Sequence, residues 1–221
     1  MKTLLLGILI MGLAISAKAV DKMKLDERVR SLTDQFTAMQ GNPSTAVPAD
    51  QLAAAKGIIL LDRTRGAFMF GFHSGNGVAL TRDESGKWGA AGFVSSVGAS
   101  LGAQIGGTKD FYVILLKTPG AVDQLRQSSM DFGAQASATG GSTFAGAQAS
   151  TATSQSVVVY SARNGLYAGA AIKGGSISTD NDANQVYYGR PVTMDDILFS
   201  RQVAPSPAVS DLIAKIDQYS K

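Results

Sequence analysis

The chain has 221 residues, no cysteine, one histidine and a formal charge of +3. Without cysteine there is neither a disulfide nor a lipid-modified N-terminal Cys, and a lone imidazole leaves no basis for a zinc site. Residues 1–19 read as a secretory signal: Lys2 is the basic start, Leu4 to Ile15 the apolar core, and Ala17-Lys18-Ala19 the cleavage signal. Its removal takes two lysines and no acid, so the charge falls to +1, too near neutral for a general electrostatic hold on nucleic acid. The expected product is exported, periplasmic or secreted, peripheral on a membrane at most, and not a lipoprotein.

The first mature element is a helix from about Asp21 to Met39. Leu25, Val29, Leu32, Phe36 and Met39 fall on one stripe, and mixed charges cover the opposite side, which suits a helix docked on its own domain. Gly41-Asn42-Pro43 ends it, and a short helix follows from about Pro48 to Lys56. Strands are then expected at Gly57 to Arg63 and Gly66 to Phe72, joined by a tight turn at Arg63-Thr64-Arg65-Gly66. Asn76-Gly77 reads as a further turn, Val78 to Arg82 as a strand and Asp83-Glu84-Ser85-Gly86 as a hairpin loop.

From Gly98 to Gly107 the residues alternate with strand periodicity and place glycines on one face, where a flat partner could approach. The run Phe111 to Leu116 reads as a strand covered on both sides. Thr118-Pro119 starts a helix to about Ser129 that buries Val122 and Leu125. Gly133 to Ser156 is small and polar, either a loop or small-residue strands. Val157 to Tyr160, Gly165 to Ile172, a short segment at Ile177 and Gln185 to Tyr188 continue the strand pattern around a polar Thr179 to Asp182 turn. Thr193 caps a short helix with Ile197 and Leu198, and Ser206-Pro207 opens an amphipathic terminal helix.

These elements predict an α+β fold: a mostly antiparallel β sandwich or barrel-like sheet, helices at both termini and one or two helices between strands. Residues 20–221 form one domain, with N-terminal helices over 21–56, a β-rich body over 57–190 and C-terminal helices over 193–220.

Motifs for catalysis are poorly supported. Gly98-Ala99-Ser100-Leu101-Gly102 matches a nucleophile elbow, but strand alternation runs through Ser100, and His73 precedes it. Asp180, Asp182 and Asn184 have the alternate spacing of a calcium loop, yet Gln185 and Pro191 stand where glycine and glutamate belong. No enzyme activity, cofactor or metal is expected.

Several ordered motifs resemble the SYLF domain: Gly57-Ile58-Ile59-Leu60, the Gly66 to Gly77 segment, Trp88, Gly98-x-Ser100-x-Gly102-x-Gln104-Ile105-Gly106, Tyr160 to Gly169, and Asn184-Gln185-Val186-Tyr187-Tyr188-Gly189. The likeness spans about Leu25 to Phe199. It departs at Gly89-Ala90-Ala91, where members often carry Ser and Pro, and at Gly140-Gly141-Ser142, which lacks a Pro and an Arg. The resemblance implies a lipid-binding module; eukaryotic relatives associate with phosphoinositide membranes and some fungal ones with actin. For an exported member the expected partner is phospholipid or an anionic membrane surface: glycine-faced strands admit acyl or backbone contact, Arg163, Lys173, Lys109 or Arg190 contacts a phosphate, and Trp88 and Tyr167 join from the matching motifs. The alternative is a structural or envelope-assembly protein that binds envelope proteins through the same faces.

Overall fold

The computed structural model describes residues 2–68, 70–100, 106–130, 156–163, 165–167 and 175–221, and the side chains of 21–64, 74–97, 109–130, 156–163 and 176–221. In chain order the helices are α1 (Lys2–Gln40), α2 (Ala49–Ala54), α3 (Pro119–Asp123), α4 (Asn181–Tyr188), α5 (Met194–Leu198) and α6 (Pro207–Tyr219). The strands are β1 (Gly57–Phe68), β2 (Phe70–Thr81), β3 (Gly92–Ser100), β4 (Gly106–Leu116), β5 (Ser129–Met130), β6 (Val157–Ser161), β7 (Gly165–Tyr167) and β8 (Gly175–Thr179).

Alternation of apolar residues along the strands fixes which side chains share a face. Ile58 and Leu60 of β1, Val78 and Leu80 of β2, and Val113 and Leu115 of β4 point to one side, where the α1 stripe of Leu25, Val29, Leu32 and Phe36 meets Val209, Leu212 and Ile216 of α6. Ile59, Leu61, Ile114 and Leu116 point to the other, against Val122, Leu125, Ile197 and Leu198. The continuous apolar run of β4 is thus explained by helices on both faces. The described strands join one antiparallel sheet in the order β5-β8-β3-β2-β1-β4-β6-β7, so the long β1–β2 hairpin is its centre. Of the two architectures expected, the curled single sheet is the one adopted, not a sandwich.

Five local expectations are corrected. β1 runs straight through Arg63 to Gly66, in register with β2 until Phe68 faces Phe70, so no turn occurs there. Asn76-Gly77 is not a turn either, since both residues pair with Asp62 and Leu61 inside β2. A Cβ on Gly77 would stand 2.2 Å from the Leu60 carbonyl oxygen, so this glycine answers a close strand approach, not a reversal. The described parts of the Gly98 to Gly107 stretch belong to two strands, β3 on β2 and β4 on β1.

The fourth correction is Gln185 to Tyr188, which is helical. Asp180 accepts a hydrogen bond from Ala183 N as N-cap, and Gly189 at φ +69° ends the helix. The last strand therefore ends at Thr179. The α3 helix is also shorter than expected, giving way to a 3-10 turn at Gln124–Arg126 before β5. Of the small-residue stretches singled out in the sequence, 133–155 and 168–172 lie outside the described residues.

Candidate binding grooves

The motif Asn184 to Gly189 turns out to fasten α4. Asn184 is fully buried; its Oδ1 accepts from Phe93 N at 2.8 Å, and its Nδ2 donates to Phe93 O at 3.3 Å. Tyr187 donates to Asp26 Oδ1 on α1 at 2.7 Å and meets the Ser206 hydroxyl at the start of α6, while Tyr188 donates to Ala91 O at 2.6 Å. Burial, with Asp26 beside it, keeps the Tyr187 phenol protonated well above its ordinary range. These side chains are anchors, and they set the wall of a surface groove.

That groove, of about 630 Å³, lies where α4 faces Lys22 in the middle of α1. Val186, Tyr188 and Pro191 give it an apolar floor, and Lys22 and Arg190 stand on its rim with Asp182. The Lys22 ammonium sits 5.7 Å from the centre of the Tyr187 ring. Arg190 Nη2 donates to Gln202 O at 3.1 Å, one of the five donors of a guanidinium.

The other sequence-predicted residues do not join it. Arg163 follows β6 and pairs with Asp110 at 3.1 Å; Lys109 precedes that aspartate on β4 and is exposed. Trp88 is buried, with the Arg82 guanidinium 4.4 Å from its ring centre. The Tyr167 side chain and all of Lys173 lie outside the described residues. His73 lies within β2 and Ser100 ends β3. Among the described residues no His, Asp or Glu group is placed to hold a metal ion.

A larger trough, absent from the sequence expectations, lies at the end of the sheet where β1 starts and β2 and β4 finish. Its first hollow, of about 980 Å³, runs from the end of α2 past the Asp83–Gly86 loop to Phe199, and its second, of about 670 Å³, lies under Trp88, Val203 and Ile213. Its residues come from five separate chain segments, and no local pattern reports their meeting.

A single curled sheet clad by helices on both faces, with charged grooves at its helical margins, defines an α+β domain. A family model described as "Ysc84: Las17-binding protein actin regulator" matches residues 97–219. The chain belongs to this Ysc84 family, whose domain is the SYLF domain. It is 31% identical over 176 residues to LAS seventeen-binding protein 3 of Saccharomyces cerevisiae, covering 77% of this chain and 38% of the relative. It is 24% identical over 200 residues to SH3 domain-containing YSC84-like protein 1 of Homo sapiens, covering 88% of this chain and 58% of the relative. The chain thus spans less than two thirds of these relatives' length. No solved structure matches it.

Proposed function

We propose that the chain is a non-enzymatic, exported envelope domain that binds anionic phospholipid surfaces through the Lys22–Arg190 groove. The observation that carries the reading is the pairing of two cations with an apolar floor at one margin of the fold. Arginine can grip a phosphate through two parallel hydrogen bonds, and lysine adds a point charge. Cleavage after Ala19 would place a new α-amino group two residues before Lys22, adding positive charge to the same rim. Among the described residues no helix is long and apolar enough to cross a membrane, so the attachment proposed is peripheral.

The test is flotation with vesicles of phosphatidylglycerol and of phosphatidylcholine, comparing the parent with Lys22→Glu/Arg190→Glu. The parent is expected to float with the anionic vesicles and the variant to lose at least about tenfold in affinity, because each basic residue near such a surface contributes about 1 kcal/mol. Absence of binding to either vesicle would overturn the reading. Equal binding by the folded double variant would remove the groove from it.

A further inference from the structure

The trough at the sheet end shares no lining residue with the Lys22–Arg190 groove and plays no part in the lipid reading. Its two hollows are made continuous by Ser85, Gly86 and Arg201, which line both. Arg201 is a non-glycine residue in the left-handed region, at φ +50°. Its guanidinium donates to Lys87 O at 2.8 Å and pairs with Asp83 at 3.3 Å, which fixes the loop between the hollows.

Behind that loop are two buried nitrogen donors without an acceptor, Trp88 Nε1 and Arg82 Nε. Buried donors are almost always satisfied, and these belong to side chains stacked on one another. Trp88 lines the second hollow and Arg82 the first. The Arg82 guanidinium is held loosely, by Asp217 across 4.0 Å and by Gly86 O at 3.4 Å. Neither nitrogen reaches the surface while the two side chains are stacked, so an occupant meets them only when that loosely held guanidinium swings off the indole.

The character of the rim selects the occupant. Around an apolar floor the two hollows carry five cations, Lys56, Arg82, Lys87, Arg126 and Arg201, and four carboxylates, Asp83, Glu84, Asp123 and Asp217. The excess is one positive charge spread over both hollows, so little draws a flat anionic bilayer here, and an acyl chain has no acceptor for an indole or guanidinium N–H. A polypeptide supplies a carbonyl at every residue and can carry charges that complement both signs. We infer that the trough docks an extended polypeptide segment bearing at least one acidic side chain, with its oxygen acceptors taking up Arg82 Nε and Trp88 Nε1.

Trp88 is the chain's one tryptophan, so its emission reports on this place alone. A random peptide library displayed on phage would be selected on the full mature chain, and the winning peptides synthesised and titrated. Enrichment in Asp or Glu, a shift of Trp88 emission on binding, and at least tenfold weaker binding to Lys56→Glu/Lys87→Glu are expected. Both lysines are exposed, so this variant keeps the fold. Trp88→Phe, checked by its melting curve, should weaken the same peptides several-fold. The inference is overturned if no peptide is enriched, if the peptides leave Trp88 emission unmoved and bind the double variant equally, or if phosphatidylglycerol vesicles shift that emission and displace them. Failure of vesicle flotation bears only on the lipid reading.

Discussion

At the scale of the single residue, the fold is sensitive at places where a side chain is missing or a backbone pair is clasped. Gly77→Ala would drive a methyl group into the Leu60 carbonyl, so β1 and β2 must part. The expected loss is about 1–3 kcal/mol, read as a lower urea midpoint. Gly120→Ala, in open space near the start of α3, is the control and should be neutral or stabilising by up to about 1 kcal/mol. Asn184→Ala takes from the Phe93 N–H the side-chain oxygen that now meets it and leaves a cavity, while the Phe93 C=O keeps its bond from Asp180 N. A loss of about 2–4 kcal/mol is expected in the same measurement. Its role in clasping β3 was invisible in the sequence, because a buried asparagine is recognised only by what it touches.

At the scale of the element, caps and stripes were legible and strand ends were not. The α1 stripe, the Thr118 and Ser206 caps and the Thr193 to Asp196 box all follow from residues a few positions apart, and all are formed. Thr193→Ala should cost about 1 kcal/mol and lower the melting temperature by a few degrees. Hydrogen bonds from the Thr193 N–H and hydroxyl hold the Asp196 carboxyl below its ordinary value, so this support is present above that value and lost as pH falls through the lowered one. The α4 helix was missed although Asp180 and Gly189 bracket it, because Gln185 to Tyr188 also alternates like a strand. Asn76-Gly77 misled for the converse reason: the pair that favours a hairpin turn also suits a strand pressed against its neighbour's backbone. Of the candidate groove, the sequence marks only Arg190 as a ligand contact, although the motif Asn184 to Gly189 supplies much of its lining. Lys22 lies more than 160 positions away, and the bond of Tyr187 to Asp26 is what ties α4 to its helix.

At the scale of the whole molecule, tyrosines join the sheet to its helices on both sides. Tyr160 on β6 lies in the core near Asp50 of α2, Tyr187 ties α4 to α1, and Tyr188 packs against both apolar clusters. Burial first, then the Asp50 charge, pushes the Tyr160 phenol up to about 12, and burial raises Tyr187 and Tyr188 as well. The unfolded chain releases these protons near the ordinary value of 10 while the folded chain keeps them. Above that pH the unfolded state binds fewer protons, so stability is full below it and falls as pH rises toward the folded values. The slope should be about 1.4 kcal/mol per pH unit for each such tyrosine. Urea midpoints followed by Trp88 emission across this range would show it. Tyr188→Phe separates the causes: it should lower stability by about 1 kcal/mol at neutral pH, through the lost bond to Ala91 O, yet flatten the alkaline slope. A parent midpoint that stays level across the range would mean that these phenols ionise as readily inside the fold as outside it, and that the seam between sheet and helices admits water.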